Sequence, residues 1–411
     1  MKRCILLFHL LLSIALLTGC WSSRELNELG IASAVGIDKV DDGYQVTVQL
    51  INPSEVASQS RTTQLAVFTY SATGKTIFEA LRRMTTEAPR KLYLSHIRMI
   101  IFGQEIAAEG IHRSLDFFIR DHELRTDFFM VVAEGSKAYE LLNIVTPVEY
   151  IGANKMFSSL ETASQSWAPT KAVSIDEFVT EMESDGSNPV LSGIEIKGDK
   201  EQGDNLENVE QIDPKAKIEL KNLVVFKGDK MKGKLSETES KGYNYIKDNV
   251  SNTIATQVCS TEGGSIKEFV REKESDAEQF ISEEITSSKT KVKGSVVGNK
   301  PKINISVETK ANIGDVECTI DLSKIETLKQ VEDLLAADIK DAMEQSIQRA
   351  KELESDIFGF GEAIYRSNPK QWEKWKKNWD EEYFQDLAIS IDVKVNIHRT
   401  GTITKPLKGG E

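Results

Sequence analysis

A mixed α+β protein is expected from three features of this sequence. Short segments alternate apolar with polar residues, segments of three- and four-residue apolar spacing lie between them, and 411 residues suffice for more than one core. Three mixed α/β domains are anticipated, each a twisted, largely antiparallel or mixed sheet with helices packed on it.

The chain opens with a targeting segment, residues 1–19. Lys2 and Arg3 supply its positive start, and Ile5 to Leu17 form an apolar run that only His9 interrupts. That run suits a signal peptide and is too short for a membrane span, which takes roughly 20 residues. Leu17-Thr18-Gly19-Cys20 follows and resembles the bacterial lipobox, in which the cysteine thiol receives a diacylglyceryl group and becomes the first mature residue. Buried methylenes contribute about 0.8 kcal/mol each, so two acyl chains anchor a protein stably where one does so marginally. Losing Lys2 and Arg3 leaves 49 of the 51 Lys+Arg against 64 Asp+Glu, a net charge of −15. So acidic a body is repelled by anionic lipid and lacks the basic face that a nucleic acid requires. Of the four cysteines, Cys4 leaves with the signal and Cys20 is the lipidation site. Cys259 and Cys318 read as half-buried free thiols, although export would permit a disulfide between them.

Tyr44, Val46, Val48 and Leu50 alternate with Gln45, Thr47 and Gln49 and read as a half-buried strand; another precedes it at 30–37. A strand at 65–70 leads to a helix at 74–87, which lines up Ile77, Leu81 and Met84. Then come a strand at 97–102, short helices at 103–119, a strand at 127–133, and helices near 136–143, 150–164 and 174–183. Strands at 190–196 and 218–226 flank an acidic stretch, 198–213, that reads as a solvated loop; Lys227-Gly228-Asp229 turns the second into a hairpin. Ile303, Ile305 and Val307, and Ile389 to Ile397, alternate as strands. Between them, Ile325, Leu328, Val331, Leu335, Ile339, Met343 and Ile347 form one stripe of a helix spanning 323–352. This pattern suggests a discontinuous first domain (20–55 with 186–238), a second α/β domain inserted in it (56–185), and a C-terminal domain (239–405).

Motifs for chemistry are sparse. Gly74-Lys75-Thr76 ends like a phosphate loop, but Thr69 stands where its first glycine belongs, so it reads as a strand-to-helix turn. His122-Glu123 begins a zinc-helix pattern that Thr126 breaks. No metal, cofactor or catalytic residue is assigned. Trp372, Trp375 and Trp379 lie on a short helix opened by Asn368-Pro369; core packing is favoured for Trp372 and Trp379 over an aromatic membrane anchor, with Trp375 open. Arg120-Asp121 and Glu123-Leu124-Arg125 read either as a solvated helix end or as part of a polar interface.

Taken in order, Cys20-Trp21, Arg24-Glu25-Leu26, Gly36-Ile37-Asp38, Gly74-Lys75-Thr76, Leu92-Tyr93 with His96 and Arg98, and Arg120-Asp121 with Arg125 resemble the Ger(x)C family. So do Asp356 to Gly361 with its Gly359, Tyr365-Arg366, Pro369, Trp372, Trp379 and Gly401. Ser22-Ser23 depart from the charged pair common there. These are the lipoprotein C subunits of nutrient germinant receptors in endospore-forming bacteria. The resemblance implies a lipid-anchored, non-enzymatic subunit on the outer leaflet of the spore inner membrane. It also implies partnership with an A subunit and a transporter-like B subunit, and that a small-molecule germinant does not bind this subunit alone. A lipid-anchored solute-binding protein is the alternative, though it would need two similar lobes and no repeated half is seen; an exported cell-wall hydrolase is a third.

Overall fold

The computed structural model describes residues 29–53, 65–259, 261–262, 265–266, 279–318 and 320–399. Its first sheet has nine strands: β1 (Leu29–Val40), β2 (Gly43–Ile51), β3 (Val67–Gly74), β4 (Lys91–Tyr93), β5 (Met99–Gly103), β6 (Phe129–Ala133), β7 (Val190–Gly198), β8 (Ala216–Lys227) and β9 (Lys230–Lys234). Their order is β3-β2-β1-β5-β6-β7-β8-β9, with β4 paired to β1. The centre is parallel (β1 with β4 and β5, β5 with β6, β6 with β7) and both flanks are antiparallel.

Central parallel strands are covered on both faces and so read as continuous apolar runs, as Met99–Gly103 and Phe129–Ala133 do. Their side chains alternate between two cores. Ile100, Phe102, Met130 and Val132 meet α1 (Ile77–Arg83), α2 (Gln104–Glu109) and α3 (His112–Arg120) on one face. Met99, Ile101, Val131 and Ala133 meet α4 (Ala138–Asn143) and α5 (Gly152–Ser166) on the other. The helix α6 (Ile175–Met182) returns to the first face.

This double cover corrects the reading of β2 as half-buried. Thr47 and Gln49 are buried beside Val46 and Val48, because α4 and α5 lie over them. Gln49 satisfies its amide there: Nε2 donates to the Leu142 carbonyl at 2.9 Å, and Oε1 accepts from the Ser33 hydroxyl and the Ala153 N–H. The pairing also corrects the expected split between 20–55 with 186–238 and 56–185. β2 pairs with β3 and β1 pairs with β5, so strands from both segments fill one sheet. The acidic stretch is not a plain solvated loop either. A short helix, α7 (Glu207–Glu210), buries Asn208, whose side chain bonds the carbonyls of Val145 and Ala216 and the N–H of Ala216.

After α8 (Glu237–Ile246) the second sheet begins with β10 (Thr253–Val258); a two-residue ribbon, β11 (Thr261–Glu262) with β12 (Ser265–Ile266), lies beside it in sequence. β13 (Phe280–Val297) and β14 (Lys300–Val316) form a long hairpin, turned by Gly298 and Asn299 at φ 56° and 62°. The final strand, β15 (Ala388–Arg399), joins β14 in parallel. Across one face runs α9 (Ile325–Glu352), its stripe of Leu335, Ile339, Met343 and Ile347 packing on Ile303, Ile305 and Val307. Then α10 (Phe360–Ser367) and α11 (Pro369–Trp375) close the domain, and all three tryptophans are core, Trp375 included. Cys259 and Cys318 are buried and form a disulfide, where free thiols had been expected; the long hairpin brings the ends of β10 and β14 together.

Candidate functional site

Parallel strands place their starting points along one edge. Here β4 starts level with β1, Leu29 pairing with Lys91 and Ile31 with Tyr93, and β5 and β6 start level with each other five positions further along β1, Ala34 pairing with Met99 and Met99 with Phe129. The segments entering β5 and β6, residues 94–98 and 121–128, therefore sit at the end where the chain arrives from residue 28. Five of the motif residues gather there: His96, Arg98, Arg120, Asp121 and Arg125.

Backbone contacts hold this edge. The Arg98 N–H donates to the Ser33 carbonyl at 2.7 Å, the Phe129 N–H donates to the Arg98 carbonyl at 3.0 Å, and the Ser95 hydroxyl donates to the Glu123 carbonyl. The side chains project outward. Arg120 pairs with Asp116 at 2.7 Å and Arg125 with Asp127 at 3.0 Å, both arginines largely exposed. Asp121 accepts from the Glu123 N–H at 2.9 Å, and Lys91 reaches Glu123 at 2.9 Å. His96 is exposed with its ring edge-on to Tyr93, and the Arg98 guanidinium lies 4.9 Å from the Phe157 ring centre. Exposed surface pairs of this kind contribute little to stability. The cluster is better suited to contact than to holding the fold.

Beside it, α1 and α3 flank a groove of about 770 Å³ with Ile77, Leu81, Leu92 and Leu94 in its lining. The Phe78 and Phe117 rings, both in its lining, stand 6.1 Å apart, and Arg82 lies over Phe78 at 5.0 Å. The Gly74-Lys75-Thr76 turn proves to be the cap of α1: the Thr76 hydroxyl accepts from the Glu79 N–H, and Glu79 accepts from the Lys75 N–H.

Five other motif residues, Asp38, Gly359, Gly361, Trp372 and Trp379, are buried inside the fold. Asp38 is buried and accepts from the N–H groups of Ala138 and Tyr139 at the start of α4, at 2.8 and 3.0 Å. Burial nonetheless raises its carboxyl above the usual range, with those N–H bonds opposing the shift.

Gly359, Gly361, Trp372 and Trp379 surround Asp356, a residue that sequence reasoning placed within the signature without giving it a role. Asp356 accepts from the N–H groups of Phe358, Gly359, Phe360 and Gly361 and from the Trp379 indole. Gly359 takes φ 76°, and the α-carbon of Gly361 packs against Gly186, where a side chain would collide. Asn188 donates to the Asp356 carbonyl and to Asp380, and accepts from the Gly228 N–H. This polar knot ties the first sheet to the C-terminal helices. Its sequence signal was an aspartate three and five residues ahead of two glycines, with an indole downstream. Cys20, Trp21, Arg24, Glu25 and Leu26 lie outside the described residues.

Two sequence families meet on this chain. Residues 22–196 match the spore germination protein N-terminal domain, and residues 221–401 match the spore germination B3/GerAC-like C-terminal domain. The chain belongs to this family, the Ger(x)C proteins. It is 31% identical to spore germination protein KC of Bacillus subtilis (strain 168), over 99% of this chain and 98% of that one. Spore germination protein B3 of the same organism is 25% identical, covering 97% and 98%, and spore germination protein GerQC of Bacillus cereus is 23% identical, covering 96% and 98%. The crystal structure of the GerBC protein superposes with a TM-score of 0.50 over 88% of this chain and 96% of its own, at 18% identity, a likeness of fold. Among the described residues no helix is long and apolar enough to cross a membrane.

Proposed function

We propose that the chain is a lipid-anchored subunit of a nutrient germinant receptor. Acyl chains on Cys20 hold it to the outer leaflet of the spore inner membrane, and its body supports receptor assembly and signalling beside the A and B subunits without catalysing a reaction. Full-length similarity to spore germination proteins supports the class. The observation that carries the role is the convergence of exposed His96, Arg98, Arg120 and Arg125 at the edge where Leu29 enters the fold. Eight residues lie between Cys20 and Leu29, so an extended link of nine steps reaches at most about 30 Å and keeps that edge near the bilayer.

Spores lacking this chain should lose the response to at least one nutrient. Restoring the wild-type chain should recover it, and restoring Arg120→Glu with Arg125→Glu should recover much less. Undiminished responses to every nutrient, once duplicate receptors are removed, would overturn the assignment. One feature favours a second reading, a lipid-anchored solute binder: the α1–α3 groove could hold a small molecule. Calorimetry of the lipid-free body with nutrient mixtures separates the two, since tight binding without A and B subunits supports only the solute binder.

A further inference from the structure

The groove between α1 and α3 combines an apolar lining with basic side chains. Its floor is aliphatic, and the exposed Phe78 ring stands at its lip beside the half-buried Phe117. Around it stand Lys75, Arg82 and Arg113, and Asp121 lines it as well. Other cations nearby are neutralised, Lys91 by Glu123 and Arg120 by Asp116. Among the described residues, Lys75, Arg82 and Arg113 have no carboxylate within ion-pair distance. A chain whose formal charge is −13 thus presents an excess of positive charge at its apolar groove, five Lys and Arg against three Asp and Glu.

Shape and charge together select the occupant. An aliphatic floor with aromatic walls accepts the apolar face of an amphipathic helix, and unpaired cations on the rim select acidic residues at that helix's flank. A bilayer surface fits less well. It takes up protruding apolar side chains rather than filling a concave groove. Position narrows the choice further: Lys91, which lines the groove, pairs with Leu29, so one end of the groove opens where the membrane tether enters.

We propose that the α1–α3 groove receives an amphipathic helix, apolar on one face and acidic at its flank, from a membrane-integral subunit of the same receptor. This rests on the receptor-subunit reading above and adds a partner surface to it. The helix lays its apolar ridge against Phe78, Phe117 and Leu81, and its carboxylates meet Lys75 and Arg113.

The test uses the full lipidated chain co-expressed with the receptor's A and B subunits, with Phe78 replaced by the photo-crosslinker benzoylphenylalanine. Irradiation should attach the chain to A or B. Lys75→Glu with Arg113→Glu should lower the yield about tenfold or more, with an unchanged melting temperature. Lysine substitution of the acidic residues in the crosslinked partner segment should restore it. Crosslinks to lipid alone, to a second copy of this chain, or to nothing, from a complex that still co-purifies, would overturn the groove and leave the receptor reading standing. Failure of the wild-type chain to co-purify with A and B would overturn both.

Discussion

Asp356 accepts five hydrogen bonds, yet burial raises its pKa to about 6, because full desolvation outweighs the N–H and indole donors that favour the charged form. Removing it strands those donors in the core. Asp356→Ala is expected to cost on the order of 3–5 kcal/mol, measured by chemical denaturation, and Asp356→Asn less. Glu283 is a sharper case. It is buried on β13, and beyond its own backbone its carboxyl finds no hydrogen-bond partner. Burial first, and the charge of Asp338 second, raise it to about 8. With the folded pKa above the unfolded value, the native state holds the extra proton, so this residue's contribution falls as pH rises from about 4.5 to 8. The whole change is about 5 kcal/mol. Glu283→Gln should therefore raise the melting temperature at pH 8–9 and leave it nearly unchanged at pH 4. A parallel pH profile for both proteins would refute the assignment.

Elements succeed or fail on how closely they can approach. At Gly242 of α8, an added methyl group would run into the Ala342 carbonyl of α9, so the two helices pack there only through glycine. Gly242→Ala should push them apart at a cost of roughly 1–3 kcal/mol, read from thermal melts. The Cys259–Cys318 bridge spans 59 residues of sequence. Loop-closure entropy assigns such a bridge about 4 kcal/mol, so reduction should lower the stability of the second sheet by that order. The C-terminal strands and the long helix were legible in the sequence because their partners impose a simple period: alternation in β14 and β15, a three-four stripe in α9. What stayed hidden depended on distant contacts. β13 carries Ser, Thr, Lys and Glu through most of its length and becomes a strand only between β10 and β14. Gln49 looked solvent-facing until α4 and α5 covered it. The cysteines could not be paired until β10 and β14 were known to end side by side.

Across the whole molecule, the two sheets share a core. Val190, Leu223 and Val225 of the first pack in one cluster with Tyr243, Leu335 and Phe360 of the second half, and the Asp356 knot fastens the same seam. The site was readable as motif residues but not as an arrangement. His96, Arg98, Arg120 and Arg125 lie up to 29 positions apart in sequence, and only the parallel strand order brings them to one edge. At this scale the anchor makes the clearest prediction. Mass spectrometry of the mature chain should find a diacylglyceryl group on Cys20, and Cys20→Ser should move the protein out of the membrane fraction; a bare thiol at that position would contradict it.

With Cys20 lipidated as proposed, the pairing of Leu29 with Lys91 would fix where the body hangs from its leash. The eight residues between Cys20 and Leu29 would then confine it to a shell a few nanometres deep, where a neighbour embedded in the same leaflet would be encountered at an effective concentration on the order of millimolar. Encounters too feeble to register in a dilute test tube would then be occupied most of the time on the spore. A subunit held in this way would have little need of a tight grip, and could let go of its companions while remaining within reach to bind them again.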